Sequence, residues 1–289
     1  MSDWYQIESK SLIVQITTKG AEMKRLFSRD WHRELLWLGD NKVWDRSAPI
    51  LFPIVGKLKD DEYELHGKKY KLGQHGFARD MEFKCVESTT KEVEFLLVAS
   101  QESFVHYPFC FEVRVRYSVE DSKVKVFYFV KNDDRQDMFF SIGAHPAFDT
   151  KDINHYEIRF EKEETEFFRV EQGLVNWKKP QLLSGTSLPL NAEIFKNDAL
   201  IFKKLKSRHV DLVDTKKHER IRITSNSDFF GIWGKDKVPF VCLEPWFGVS
   251  DDNETDKKLS TKKGIINLPA GEIFGFSYTI EMKYIGNHT

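Results

Sequence analysis

The chain has 289 residues, 40% of them hydrophobic and 31% charged, the proportions of a folded protein rather than a disordered one. Lys and Arg number 44 against 45 Asp and Glu, a net charge of −1, which creates no strong field for nucleic acid or an anionic membrane. With 16 Gly and 9 Pro it is neither collagen-like nor low-complexity, and it is long enough to bury a substantial core.

The opening MSDWYQIESK is polar and acidic and lacks the apolar stretch of a secretory signal. From there the dominant period is two, the spacing of a strand with one dry face. Leu12, Val14 and Ile16 alternate with Ile13, Gln15 and Thr17. Tyr63 to Leu65 and Tyr70 to Leu72 flank His66-Gly67-Lys68, a hairpin turn. Val93, Phe95 and Leu97 follow the turn Ser88 to Lys91, and Gln101 to His106 reads as a short helix ended before Pro108. The cleanest alternation runs from Phe111 to Val119, breaks at Glu120-Asp121-Ser122 and resumes from Val124 to Val130, predicting an antiparallel hairpin.

Further on, Ala192 to Leu205 predicts a helix with Asn191 as its N-cap. Ile221 with Ile223, Phe229 to Trp233, Phe240 to Leu243 and Phe274 to Tyr284 read as strands, and the 24 Phe suit half-buried sheet surfaces. Lys257, Lys258, Lys262 and Lys263 are interleaved with Asp251, Asp252 and Glu254, the pattern of a solvated loop. There is no fixed-period repeat, no linker, and no run of about 18 apolar residues that would cross a membrane. No heptad or exposed apolar stripe separates from the strands to define an oligomer. The expectation is one cytoplasmic, all-β domain over residues 1–289, a large two-sheet antiparallel sandwich.

Cys85, Cys110 and Cys242 are odd in number and far apart, so they form neither a disulfide framework nor a zinc pair. The glycine patterns of phosphate-binding loops are absent, so no nucleotide cofactor is expected. Three segments break the alternation: Gln74 to Arg79, Ser141 to Phe148 and Val241 to Gly248. Each is largely apolar yet carries His75, His145 or Glu244, groups that are costly to bury without partners. Taken alone, each His reads more readily as a hydrogen-bonded core residue, and Glu244 as a strand cap or the partner of an Arg, than as a catalytic group. Together, each at a predicted strand end, they can converge in one cleft.

Glu244, beside Leu243 and Trp246, should have its pKa raised by desolvation and suits a general base. A His near its natural pKa can donate a proton at the same pH. Trp246, Trp233 and Phe148 offer apolar faces for a sugar ring, and Arg46 and Arg79 offer planar donor forks. Two His and a carboxylate are also the ligands of a non-haem metal site, but neither His has a ligand-spaced partner, so no metal is expected. Cys242 shares the face of Glu244 without any sign of activation.

The segments HGFAR (His75 to Arg79), GAHPAF (Gly143 to Phe148) and EPWFG (Glu244 to Gly248) resemble the aldose 1-epimerase (galactose mutarotase-like) family, and its LacX-like branch in particular. Arg46 to Gly56 and Gly20 to Met23 fit as well, so the resemblance runs from about Ile13 to about Ile280 in the family's order. It implies a β-supersandwich with a cleft on one sheet, and an enzyme interconverting the α and β anomers of a hexose without metal or cofactor. It implies Glu244 as base on the anomeric hydroxyl, His145 as acid on the ring oxygen, and His75 and Arg46 as sugar-binding residues. Arg79 matches a position used in the branch acting on hexose 6-phosphates. The family's further sugar-binding Asp has no matching motif here; Asp211 and Asp228 are candidates by chain order. Three readings stand: a free-hexose mutarotase, a hexose-6-phosphate epimerase drawing on Arg46, Arg79 and Lys57, and a non-catalytic sugar-binding protein.

Overall fold

The computed structural model describes residues 2–285. Two nine-stranded sheets dominate. The first runs, in spatial order, Ser187–Pro189, Tyr156–Phe160, His209–Asp214, Glu219–Ser225, Ile273–Tyr284, Lys123–Asn132, Phe111–Glu120, Glu92–Val98 and Lys84–Ser88. The second runs Leu174–Val175, Glu166–Glu171, Leu200–Lys203, Phe229–Trp233, Phe240–Phe247, Ile142–Ala144 and Ile50–Leu51. Ala147–Asp149 also pairs with Phe240–Phe247, and Gln181–Leu182 with Glu166–Glu171. A four-stranded sheet formed by Trp4–Glu8, Leu12–Thr17, Met23–Ser28 and Arg33–Glu34 completes the N-terminal side. The ladders are antiparallel, and the fold is an all-β supersandwich of curled sheets.

Alternation explains the layers. On Phe111–Glu120, Val113, Val115 and Tyr117 are buried, while Arg114 and Arg116 face outward onto Glu94. On the facing sheet, Ile232, Val241 and Leu243 are buried in the same apolar cluster. Aromatic contacts tie the layers together: Phe52 to Phe111 at 5.1 Å, Phe160 to Phe202 at 5.2 Å and Phe247 to Phe276 at 5.0 Å between ring centroids. Each large apolar side chain buried there contributes roughly 1.5–3 kcal/mol.

The expected hairpin is present, with register from Phe111↔Asn132 to Glu120↔Lys123. So is the helix Gln101–His106, capped reciprocally by Ser100 and Ser103. Two expectations fail. Ala192 to Leu205 is not one helix: a 3₁₀ turn, Ala192–Phe195, ends at a bend through Asp198 (φ 63°), and Leu200–Lys203 is a strand on Phe229–Trp233. Asn191 does cap the short turn, accepting from the Ile194 amide at 3.0 Å. The physical reason is the run Leu200-Ile201-Phe202, buried on both faces, which a strand between two others satisfies better than a surface helix.

Nor is the lysine-rich segment wholly solvated. Lys262 is buried; its Nζ donates to the Val249 carbonyl at 2.5 Å and to Asp251 Oδ1 at 2.9 Å. Among the described residues no helix is long and apolar enough to cross a membrane.

Candidate active site

Strand Phe240–Phe247 builds the floor of a cleft. Val241 and Leu243 point into the core, so Cys242, Glu244 and Trp246 take the other face. Glu244 lies opposite Gly231 on one neighbouring strand, and Trp246 opposite Gly143 on the other. Both glycines are there for the indole: a Cβ at Gly231 would sit 2.6 Å from Trp246 Cη2, and one at Gly143 2.5 Å from its Cδ1. Only bare backbone lets the ring lie across the sheet.

His145 follows strand Ile142–Ala144 and precedes Pro146. Its Nε2 lies 3.1 Å from Glu244 Oε2, with both side chains buried. The ring is boxed by Trp44 at 5.3 Å, Trp233 at 5.6 Å and His75 at 5.5 Å between centroids. Burial opposes charge on both members of the pair. It pushes Glu244 well above the usual carboxylate range, the charge of Asp198 adds to this, and the Trp246 indole N–H works against it. His145 does not keep the natural pKa expected of it: burial lowers it to about 3, a backbone hydrogen bond opposes the shift, and Arg79 and Arg46 reinforce it.

His75 comes from a loop and is held in the left-handed region at φ 66°. Its amide donates to the Gly56 carbonyl at 2.8 Å, and its Nδ1 accepts the Gly56 amide at 3.0 Å. Desolvation, then the nearby His145, Arg79 and Arg46, keep its pKa well below normal, so the ring is neutral. With Nδ1 accepting, the proton sits on Nε2. The Gln74 side-chain amide lies 3.4 Å from that Nε2, and only its oxygen can accept the proton there.

Arg46 and Arg79 stand side by side. Arg46 donates to Asp80 Oδ1 at 2.7 Å, and Arg79 donates to the Gln74 carbonyl at 2.7 Å. Desolvation, with Arg46 adding, lowers Arg79 to about 10. The backbone carrying Arg46 is anchored by Glu22, which accepts from the Ser47 and Ala48 amides at 2.5 and 3.1 Å.

The cleft these groups share has a volume of about 650 Å³. It is lined by Glu244, His145, His75, Arg46, Arg79, Trp233 and Trp246, all singled out from the sequence. Phe148 does not reach it and is fully buried in the main core. Lys57 is not among the lining residues; its aliphatic chain lies over Gly173, where a Cβ would sit 2.7 Å away. Neither candidate Asp is present. Asp211 belongs to the other large sheet, where it accepts from Arg222 on the paired strand, and Asp228 lines a separate depression with Lys204 and Ser207.

Sequence reasoning missed Trp44, Gln74 and Asp198, which also line the cleft. Asp198 belongs to an exposed turn, but its carboxyl is shielded by the cleft wall, and that desolvation raises its pKa. Its only sequence signal is Asn197-Asp198 interrupting the apolar pattern of the supposed helix.

A model of the family described as aldose 1-epimerase matches residues 3–262. The chain belongs to the aldose 1-epimerase family. Protein LacX (chromosomal) of Lactococcus lactis subsp. lactis is 31% identical over 284 residues, covering 91% of this chain and 94% of LacX. A galactose mutarotase related enzyme from Lactobacillus acidophilus superposes with a TM-score of 0.93 at 30% identity, over 99% of both chains. A galactose mutarotase-like protein from Lactobacillus casei gives 0.90 at 28% identity, over 97% of this chain and 100% of that one. A further chain, from Escherichia coli K12, shares 17% identity at a TM-score of 0.80, which carries the fold alone. The chemistry to which family membership points is epimerisation at a sugar's anomeric carbon.

Proposed function

We propose that this chain is a hexose mutarotase, with Glu244 as general base and His145 as general acid, working as one domain over residues 1–289. The observation that carries the proposal is the 3.1 Å approach of His145 Nε2 to Glu244 Oε2 on a cleft floor walled by tryptophans. Mutarotation moves protons at two oxygens bonded to the same carbon, O1 and the ring oxygen. An acid and a base within hydrogen-bond distance of each other serve such a pair. Burial leaves the pair's one proton on Glu244 and His145 neutral, so that proton first crosses the 3.1 Å to His145 Nε2. Glu244 then takes the O1 proton while His145 protonates the ring oxygen, and the C1–ring oxygen bond breaks. The carbonyl turns about C1–C2, and the ring closes on its other face with the roles reversed. Each positioned proton-transfer group is worth typically 10²–10⁴-fold.

The remaining lining residues hold the sugar. Trp246 and Trp233 present apolar faces to the ring, the His75 Nε2–H donates to an oxygen, and Asp198 accepts from hydroxyls in the role that neither Asp211 nor Asp228 can fill. The core supports a single domain, because one apolar cluster takes residues from both large sheets and the N-terminal sheet.

A second reading keeps the chemistry and adds a phosphate. Arg46 and Arg79 sit together at the cleft wall with Asp80 as their shared carboxylate, the arrangement a phosphoryl group favours. Two measurements test and separate these readings. Polarimetry of freshly dissolved α-anomers should show faster equilibration with the protein. Thermal shift with galactose, glucose and glucose 6-phosphate should rank the ligands. Acceleration for free sugars that persists in Arg79→Ala supports the first reading, and acceleration only for the 6-phosphate, lost in that variant, supports the second. No acceleration of any sugar would overturn both.

A further inference from the structure

Cys242 is left out of the mechanism, yet it lies on the same face as Glu244, two residues earlier, in the pair Cys242↔Trp233 on one side and Cys242↔Ala147 on the other. A ligand atom from each of His145, Cys242 and Glu244 falls within 4.8 Å of the other two, and all three residues are buried. We propose that these three side chains bind a zinc-type divalent cation through His145 Nε2, Cys242 Sγ and a Glu244 oxygen, and that the bound ion shuts the site off. The inhibition rests on the mutarotase reading; the binding does not.

The donor set selects the ion. One sulfur, one imidazole nitrogen and one carboxylate oxygen suit Zn²⁺, Cd²⁺ or Co²⁺, whereas Mg²⁺ and Ca²⁺ seek several oxygens. Tetrahedral zinc with bonds of about 2.0–2.3 Å holds its ligands roughly 3.5 Å apart. His145 and Glu244 already stand 3.1 Å apart, and the Cys242 sulfur, within 4.8 Å of a ligand atom on each, has to draw in by roughly 1 Å. Three protein ligands leave a fourth position for water. His145 and Glu244 line the cleft by which the ion would enter, whereas Cys242 is fully buried and does not line it.

Charge also balances. Zn²⁺ with one thiolate, one carboxylate and a neutral imidazole is a neutral complex, which suits a buried position better than any of the ions alone. The thiol proton of Cys242, and that of Glu244 where it is protonated, pass to solvent as the bonds form, so binding tightens as pH rises. Burial, with Glu244 adding, holds the Cys242 thiol up, and burial holds Glu244 up, so both compete with protons for the ion. Once bound, the metal takes the Nε2 lone pair and the carboxylate oxygen, leaving neither for proton transfer.

The test is titration of the chelator-washed protein with Cd²⁺ and Co²⁺, followed by thiolate-to-metal charge-transfer absorption, beside mutarotation assays with Zn²⁺ and Mg²⁺. Cys242→Ala and Cys242→Ser control for the thiol. The expected result is one equivalent of charge-transfer band in wild type, absent in both variants, which separates Cys242 from Cys85 and Cys110. Zn²⁺ should abolish activity and Mg²⁺ should not. Metal-free activity should persist in the variants while the Zn²⁺ needed rises at least about tenfold, a loss that removing even an outer partner of a metal ligand can produce. A band unchanged in Cys242→Ala, or no band at all, would overturn the site. Equal Zn²⁺ sensitivity in the variants, or activation by Zn²⁺, would overturn the inhibition. If the chain moves no sugar, the absorption titration still decides the binding.

Discussion

Gly56 grips His75 at two points, giving its carbonyl to the His75 amide and its amide to Nδ1. The backbone thereby orients the side chain that faces the cleft and fixes its proton on Nε2, where the Gln74 amide oxygen lies within reach until a ligand oxygen takes its place. Gly56 itself approaches Ser250 too closely for any side chain, and Ser250 Oγ accepts the Lys57 amide at 3.0 Å.

His75→Asn and His75→Gln should therefore fail in different ways. Asn puts an acceptor near the Nδ1 position and tolerates a positive φ, so the loop stays clamped and only the cleft donor is lost. The expected result is near-wild-type melting with KM up about tenfold, the weight of one hydrogen bond of roughly 1.4 kcal/mol. Gln keeps a donor near Nε2 but frees the Gly56 amide, so it should melt earlier. Steady-state kinetics beside thermal denaturation reads both.

Glu244→Gln should be inactive and more stable. A carboxyl whose folded pKa is raised holds its proton longer folded than unfolded. Its contribution therefore becomes progressively unfavourable as pH climbs from the ordinary carboxylate pKa through the raised one. Above that window the full penalty applies, and the neutral amide escapes it. A gain of about 1 kcal/mol, a rise of a few degrees in Tm, is expected at neutral to alkaline pH and should vanish in acid.

The pH profile should report the pair as one unit. With His145 lowered to about 3 and Glu244 raised, the two hold one exchangeable proton between those limits. The rate should be level there and fall as pH climbs through the raised value, where that proton is lost. Asp198→Asn removes a charge that raises Glu244, so the alkaline limb should move to lower pH. A lower plateau with an unmoved limb would leave Asp198 as a binding group only.

Glycine scanning of the floor should separate crowding from general tolerance. Gly231→Ala and Gly143→Ala each push on Trp246, and overpacking of this kind costs about 1–3 kcal/mol. Both should lower activity by displacing the indole. Gly73→Ala, with open space and no positive φ, should stay within roughly 0.5 kcal/mol of wild type in denaturant titrations.

Lys262→Ala should destabilise strongly. It strips the buried Asp251 carboxylate of its cation, leaving the Lys59 amide at 3.0 Å as its remaining partner. Removing one half of a buried pair costs about 3–5 kcal/mol, measurable as a fall in the denaturant midpoint.

Strand alternation was readable wherever one face is wet, as on Phe111–Glu120, because polar residues there mark the register. It was unreadable at Leu200-Ile201-Phe202, where both faces are dry and helix and strand look alike. The same ambiguity hides Asp198, a residue at a bend inside a segment whose spacing predicts a helix. The three segments carrying His75, His145 and Glu244 stood out because polar groups in apolar runs need partners. Trp44 carried no such mark; a tryptophan in a loop is as easily packing as site. Lys262 was hidden by its neighbours, since charge spacing does not distinguish a solvated lysine from one folded back onto Asp251.

The central claim is that Glu244 and His145 together open and close an aldose ring. Anomer exchange followed by saturation-transfer NMR at neutral pH tests it most directly, with galactose, glucose and glucose 6-phosphate, and Glu244→Gln beside wild type. The account predicts fast exchange between the two anomers of at least one sugar, lost in the variant while its fold persists. Exchange no faster than in buffer, or undiminished in Glu244→Gln, would contradict it.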